Sequence, residues 1–406
     1  MPKHYIVFTR KVIPQPNQSN LVWAAHTANA AANLGYSAVL TYACKDHKTL
    51  TPFDLIQPFR PKKPDQKLLS FYNLQPKLKV SSLPLSWPID HFGGMLMCAS
   101  TVVCEYYLPI HIKPLTAIVH TRDWNFAKAA VEHGVPVIYE QHYCDNTKKF
   151  EPRVVRNPLL QVVVTLSDIV RENMIQRGMP KEKIIKLHSG VNQMFLIRKP
   201  EEAEEWRQKL LVEERKHLVI YSGELCYLKG INMLIDVAKE LTQIQFAIAG
   251  GTQLLVKNYQ KLAQQKQVKN VTFLGYLPQN QLTSLLQAAD ILAHPHGSGK
   301  WKTARSTSPL KFFDYLASGN PIVATKITNL MEFKSSKAII GWCEPDSPTQ
   351  FAQCIQQVLA THPRKLEGYK DNLDLALQFS WENRIKKILS YVDNKILGVM
   401  HCTNHP

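Results

Sequence analysis

Ser308-Pro309-Leu310-Lys311-Phe312-Phe313-Asp314-Tyr315-Leu316-Ala317-Ser318-Gly319-Asn320-Pro321-Ile322-Val323-Ala324-Thr325 spells a capped helix running into a buried strand. Ser308 is a good N-cap, Pro309 suits the first helical position, and Gly319 with Pro321 ends the helix. A helix start beside a strand's carboxyl end presents free N–H groups and partial positive charge, which suits a diphosphate. Asp314 lies close enough to that end to accept hydrogen bonds from ribose hydroxyls, and Lys311 adds a cation; an ordinary α/β helix with surface Lys and Asp is the competing reading.

Upstream, apolar runs at 218–222, 245–249, 271–274, 291–293 and 321–325 alternate with helical patterns at 231–241, 254–265, 279–287 and 309–317. Such alternation predicts a parallel, doubly wound sheet. A similar alternation opens the chain. Strand candidates are 5–8, 37–42, 117–120, 135–139 and 161–165, with an Ala-rich helix from Leu21, a left-handed cap at Gly35 and a helix over 124–133. The Pro-rich stretch 51–88 is expected to be an irregular connection. Residues 191–217 are expected to form a linker with a solvated helix, and 383–396 a final amphipathic helix.

A chain of 406 residues is long enough for two cores. The formal charge of +17 favours phosphate-bearing partners and is compatible with peripheral contact with an anionic membrane. Short basic runs without interleaved aromatics argue against nucleic acid. The eight cysteines are scattered without a CxxC pair, as expected of reduced thiols in the cytoplasm. Neither a signal-peptide pattern nor an apolar run of membrane-spanning length is present, so any contact with the inner face of a membrane is expected to be peripheral. Gly297-Ser298-Gly299-Lys300 fails as an ATPase phosphate loop, because His294 and Trp301 occupy positions that need Gly and Ser or Thr. The dinucleotide fingerprint is absent after Phe8, which argues against a dehydrogenase. His401, Cys402 and His405 fit a frayed tail better than a metal site.

The segment 308–325 resembles the best-marked stretch of the group 1 (GT4-like) retaining glycosyltransferases. Further blocks are similar to that family in the same order. They are Tyr221-Ser222-Gly223-Glu224-Leu225 leading to Lys229-Gly230, Ala249-Gly250-Gly251, Asn270 to Pro278, Ala289 to Pro295, and Ser167-Asp168 with Gly190-Val191-Asn192 and Phe195. The resemblance implies a GT-B fold: two Rossmann-like parallel-sheet domains facing a cleft, with a C-terminal helix crossing back. The expected divisions are 1–192 on the acceptor side, 193–380 for the nucleotide sugar, and 381–406 packing on the first domain.

The resemblance also implies a reaction. A sugar would pass from a nucleotide diphosphate sugar to an acceptor hydroxyl with retention, without metal or other cofactor, in polysaccharide or glycolipid synthesis at the cell surface. The acceptor would be a glycan or lipid-linked. His142 and Lys229 are the catalytic candidates. Gly223, Tyr276, Leu277, Ser308, Pro309, Leu310, Lys311 and Asp314 would bind the donor, while Ser19, Asn20 and His120 would lie on the acceptor side. Glu224 stands where the family commonly has an Arg, and Ser306 where many members carry a Glu toward the donor sugar. A GT-B epimerase, or a homologue that binds donor without turning it over, are the alternatives.

Overall fold

The structure is a computed structural model that describes residues 3–15, 18–44, 52–84, 101–212, 214–298 and 310–400. The chain divides into two compact units, Met1–Ser189 with Trp381–Pro406, and Gly190–Ser380.

The first unit is built on seven parallel strands: β1 (His4–Thr9), β2 (Ala38–Cys44), β3 (Lys79–Pro84), β4 (Thr116–Thr121), β5 (Val137–Gln141), β6 (Leu160–Thr165) and β7 (Ile184–Lys186). Their order is β3-β2-β1-β4-β5-β6-β7, a doubly wound arrangement. The strand interiors are buried, as expected where helices cover both faces. Helix α1 (Ser19–Asn33) packs six alanines into the interior, which lets it lie close to the sheet.

Several elements depart from the pattern read in the sequence. The stretch 51–88 contains β3 and the short helix Gln66–Tyr72, whose start is fixed by the Asp65 carboxylate accepting from Leu68 N–H at 2.7 Å. β3 was hidden because its Lys-Val-Ser-Ser-Leu-Pro run carries only two aliphatic side chains. The final amphipathic pattern is two helices, Trp381–Leu389 and Asn394–Gly398, and Asp393 caps the second through Lys395 N–H at 2.8 Å. Helix α1 starts at Ser19, two residues before the expected Leu21, so Ser19 and Asn20 occupy its first turn.

The second unit carries β8 (His217–Ser222), β9 (Ile244–Ala249), β10 (Val271–Gly275), β11 (Ile291–His294), β12 (Ile322–Thr325) and β13 (Ile340–Cys343), in the order β10-β9-β8-β11-β12-β13. All pairings are parallel. Alternate residues of each strand feed separate cores. Leu218, Ile220, Ala247 and Ala249 join one, while Val219, Tyr221, Phe246 and Ile248 join the other. Helix α2 (Ile231–Glu240) follows β8, and α3 (Leu310–Ser318) lies between β11 and β12. Ser308 and Pro309, the expected cap of α3, fall outside the described residues, as do Lys300 and Ser306. Among the described residues no helix is long and apolar enough to cross a membrane.

Candidate functional site

Two constellations of polar side chains sit at the carboxyl ends of strands, one in each unit.

In the first unit the centre is Glu140, fully buried in β5. Val7 of β1 pairs with His120 of β4, and His120 pairs with Ile138 of β5, so alternation brings Tyr5, His120 and Glu140 to one face of the sheet. Glu140 Oε1 accepts from His120 Nε2 at 2.8 Å, and Oε2 accepts from His142 Nε2 at 2.6 Å. Arg384, from the helix Trp381–Leu389, donates to both carboxylate oxygens at 2.7 and 2.8 Å and to the His188 carbonyl at 2.8 Å. Tyr5 Oη lies 2.5 Å from His120 Nδ1. A neutral His120 that donates through Nε2 therefore accepts the Tyr5 proton at Nδ1. Burial pushes the Glu140 carboxyl up, but Arg384 and the two imidazoles more than reverse it and hold the group well below the usual carboxylate range. Burial, reinforced by Arg122, pushes His142 down to about 3, so its ring is neutral. With Nε2 engaged by Glu140, its Nδ1 lone pair is the basic position. Trp23 flanks both rings edge-on, at 5.4 Å from His120 and 5.9 Å from His142.

Of the residues singled out in this unit, His120 and His142 meet on Glu140. Ser19 is exposed and Asn20 half-buried, both at the start of α1. Glu140 and Arg384 were missed. The signals were present: a charged residue inside an apolar strand run, and an arginine beside Trp381, Ile385 and Ile388 on the buried face of a helix.

In the second unit the strand ends form a crowded rim. Gly223 N–H donates to the Ala249 carbonyl at 2.9 Å, and Gly250 N–H to the Gly275 carbonyl at 2.6 Å. Gly250 has φ +125°, and a Cβ there would lie 1.9 Å from the Gly223 oxygen. No other residue fits that approach. Lys229 closes the turn Tyr227–Lys229, and Gly230 caps the start of α2 at φ +75°, where a Cβ would meet the Pro295 carbonyl oxygen at 1.5 Å.

Four basic side chains converge over this rim. Lys311, in the first turn of α3, donates to Tyr221 Oη at 2.7 Å, with its ammonium 4.1 Å from the centre of that ring. Tyr221 in turn donates to the Glu224 carbonyl at 2.8 Å. Lys229 Nζ lies 3.4 Å from His296 Nε2. His294, at the end of β11, stacks on His296 with ring centres 6.1 Å apart, and among the described residues neither of its ring nitrogens meets a hydrogen-bond partner from another residue. Burial, together with Lys229, pushes the Lys311 ammonium well below the usual lysine range. Among the described residues no carboxylate pairs with Lys229 or Lys311. Asp314 is partly buried, and burial pushes its carboxyl up to about 7. Leu310 and Leu277 are half-buried, and Tyr276 is 39% exposed beside Gly275.

Lys229, Lys311 and Gly223 are therefore brought together: a Cβ on Gly223 would lie 2.8 Å from Lys311 Nζ. Tyr221, His294 and His296 were not recognised in the sequence, where a strand tyrosine and two histidines around a proline pass as core. Two lysines without an ion-paired carboxylate among the described residues, flanked by two imidazoles, suit a ligand of two negative charges. Among the described residues no group of His, Cys, Asp or Glu is arranged to hold a metal ion.

Residues 202–372 match the model of a family described as glycosyl transferases group 1. An uncharacterized glycosyltransferase of Methanocaldococcus jannaschii is 22% identical over 302 residues, covering 67% of this chain and 74% of its own. The alpha-galactosylglucosyldiacylglycerol synthase of Streptococcus pneumoniae is 27% identical over 232 residues, 53% of this chain and 55% of its own. Among solved structures, Anabaena HepE in complex with UDP and glucose superposes with a TM-score of 0.67 at 17% identity, covering 97% of this chain and all of the other. Two Rossmann-like parallel-sheet domains are thus shared with known glycosyltransferases of the GT-B class.

Proposed function

We propose, from the premise that this chain is a group 1 glycosyltransferase, that it moves a sugar from a nucleotide diphosphate sugar to an acceptor hydroxyl with retention of configuration. The observation that carries this reading is the convergence of Lys229 and Lys311, without carboxylate partners among the described residues, on the strand ends of the second unit.

The chemistry follows from charge. Departure of a nucleoside diphosphate builds negative charge on its terminal phosphate, and fixed cations stabilise that charge more than they stabilise the ground state. Lys229 and Lys311 are suited to this role, with the start of α3 supplying N–H groups. No metal is required on this reading. Asp314 would take the ribose hydroxyls, with Gly223, Tyr276 and Leu277 lining the nucleoside. In the first unit the neutral His142, held by Glu140, offers its Nδ1 lone pair to a sugar or acceptor hydroxyl. Arg384 and His120 act on that histidine through Glu140.

The charge of +17 and the lipid product in the name of the S. pneumoniae relative support a lipid-linked or surface glycan as acceptor, met at an anionic membrane face. The test is incubation of the full chain with UDP-, GDP- and ADP-sugars and a panel of glycan and lipid acceptors, with and without a chelator. Mass spectrometry should find an acceptor heavier by one sugar, and NMR of the anomeric proton should show retention. Isomerised donor in the absence of acceptor would instead identify an epimerase. Tight donor binding with no product would identify a binding protein.

A further inference from the structure

The imidazole of His294 is 1% exposed, yet among the described residues neither of its nitrogens meets a hydrogen-bond partner from another residue. A neutral ring left this way forfeits one donor and one acceptor in the interior, an unfavourable arrangement unless something else enters. Among the described residues, three segments surround it. Along the chain from β11, His296 stacks on it, with Nδ1 donating to the Gly297 carbonyl at 3.0 Å and the Nε2 lone pair turned to Lys229 at 3.4 Å. From α3, Phe312 and Tyr315 present their rings at 6.3 and 6.5 Å, and Lys311 adds its charge. From the turn before α2 comes Lys229. The acidic groups nearby act on its neighbours: Asp346 on His296, and Glu224 with the Cys226 thiol on Lys311.

Both imidazoles are therefore held neutral by their setting. Burial first, then Lys311, His296 and Lys229, push His294 well down, and burial with Lys229 pushes His296 down to about 4. A diphosphate lodged between Lys229 and Lys311 changes every one of these influences. It cancels the lysine charges, adds two negative charges, and offers oxygens that accept from ring N–H groups.

We propose that His294 and His296 are donor-binding residues of this site, and that the diphosphate of the nucleotide sugar enters together with a proton taken from solvent onto this imidazole pair. The inference rests on the donor-site reading above and deepens it: the site recognises its anion with two lysines and a further cation that is made on binding. Donor affinity then rises as pH falls through the histidine range, and donor release is favoured as pH rises.

Isothermal titration calorimetry on the full chain tests this, with UDP-glucose, GDP-mannose and ADP-glucose as probes. Their diphosphates are diesters and do not titrate near neutral pH. Titrations between pH 5.5 and 7.5, in buffers of different ionisation enthalpy, should register proton uptake. The dissociation constant should tighten by up to tenfold per pH unit, the limit for one linked proton. His296→Gln, at the less buried position, and His294→Gln should each weaken binding roughly tenfold at pH 6 and flatten the slope. Asp314→Asn should retain the slope. A slope lost in Asp314→Asn but kept in His296→Gln would overturn the inference, as would pH-independent binding with no uptake. Either result leaves the donor site standing, whereas failure of all three probes to bind would overturn the donor site as well.

Discussion

The two units solve opposite problems with buried charge. In the first, one carboxylate receives four N–H groups, and Glu140 ends with its oxygens fully occupied by His120, His142 and Arg384. In the second, Lys229, Lys311, His294 and His296 crowd together with no carboxylate ion-paired to either lysine among the described residues, and Lys311 depends on the Tyr221 hydroxyl and ring. The first arrangement is complete in the free protein and fixes the orientation of a histidine. The second, on the proposed donor-site reading, is completed by an anion. A paired buried charge serves geometry; an unpaired one stores affinity.

The sharpest way to break this contrast is to unbalance the first unit. Arg384→Ala leaves Glu140 buried and short of its cation, and should destabilise the chain by about 3–5 kcal/mol in denaturant unfolding. A loss under about 1 kcal/mol would mean that the carboxylate is already adequately held by the two histidines. Removing a cation from the second unit should act elsewhere. Lys229→Ala should lower kcat by roughly 10²–10³ in a steady-state transfer assay, with little change in unfolding midpoint. Near-normal turnover would remove Lys229 from the chemistry.

The smallest effect concerns pH. Burial raises Asp314 to about 7 in the fold, so its contribution to stability is present below the unfolded value near 4 and is lost as pH rises toward 7. Asp314→Asn should therefore stabilise the free chain at pH 8 by about 1 kcal/mol, worth roughly 2–4 °C in thermal midpoint, and leave it unchanged at pH 4. Glu140 has the opposite sign: its folded value is depressed, so its stabilisation is present above the unfolded value and fades as pH falls through the folded one. A variant midpoint that tracks the parent at both pH values would show that Asp314 is better solvated than its burial implies.

Much of the fold is legible in the sequence because parallel strands covered on both faces must be short continuous apolar runs, as at 218–222 and 245–249. β3 escaped because Ser81 and Ser82 break its run. The helix 383–396 split because Asp393 caps a new start, an effect of one hydrogen bond that periodicity does not register. The site was legible where chemistry depends on a local signature, as for Lys229 before the required Gly230, and Lys311 in the first described turn of α3. It was illegible where partners are distant in the chain. Glu140 and Arg384 lie 244 positions apart, and nothing local in either marks the pair. His294 and His296 were passed over because no local signature marks two histidines around a proline, and only the fold shows that, among the described residues, the His294 nitrogens meet no partner from another residue.

The central claim is that the second unit keeps positive charge unpaired for the sake of a diphosphate, and Lys311→Met tests it most directly. The substitution keeps the length of the side chain and removes the charge. Paired measurement of thermal midpoint and calorimetric affinity for UDP-, GDP- and ADP-sugars should show a higher midpoint than the parent and donor affinity weakened at least tenfold, about 1.4 kcal/mol. A lower midpoint with unchanged donor affinity would contradict the account, because Lys311 would then be a structural cation satisfied by Tyr221 alone.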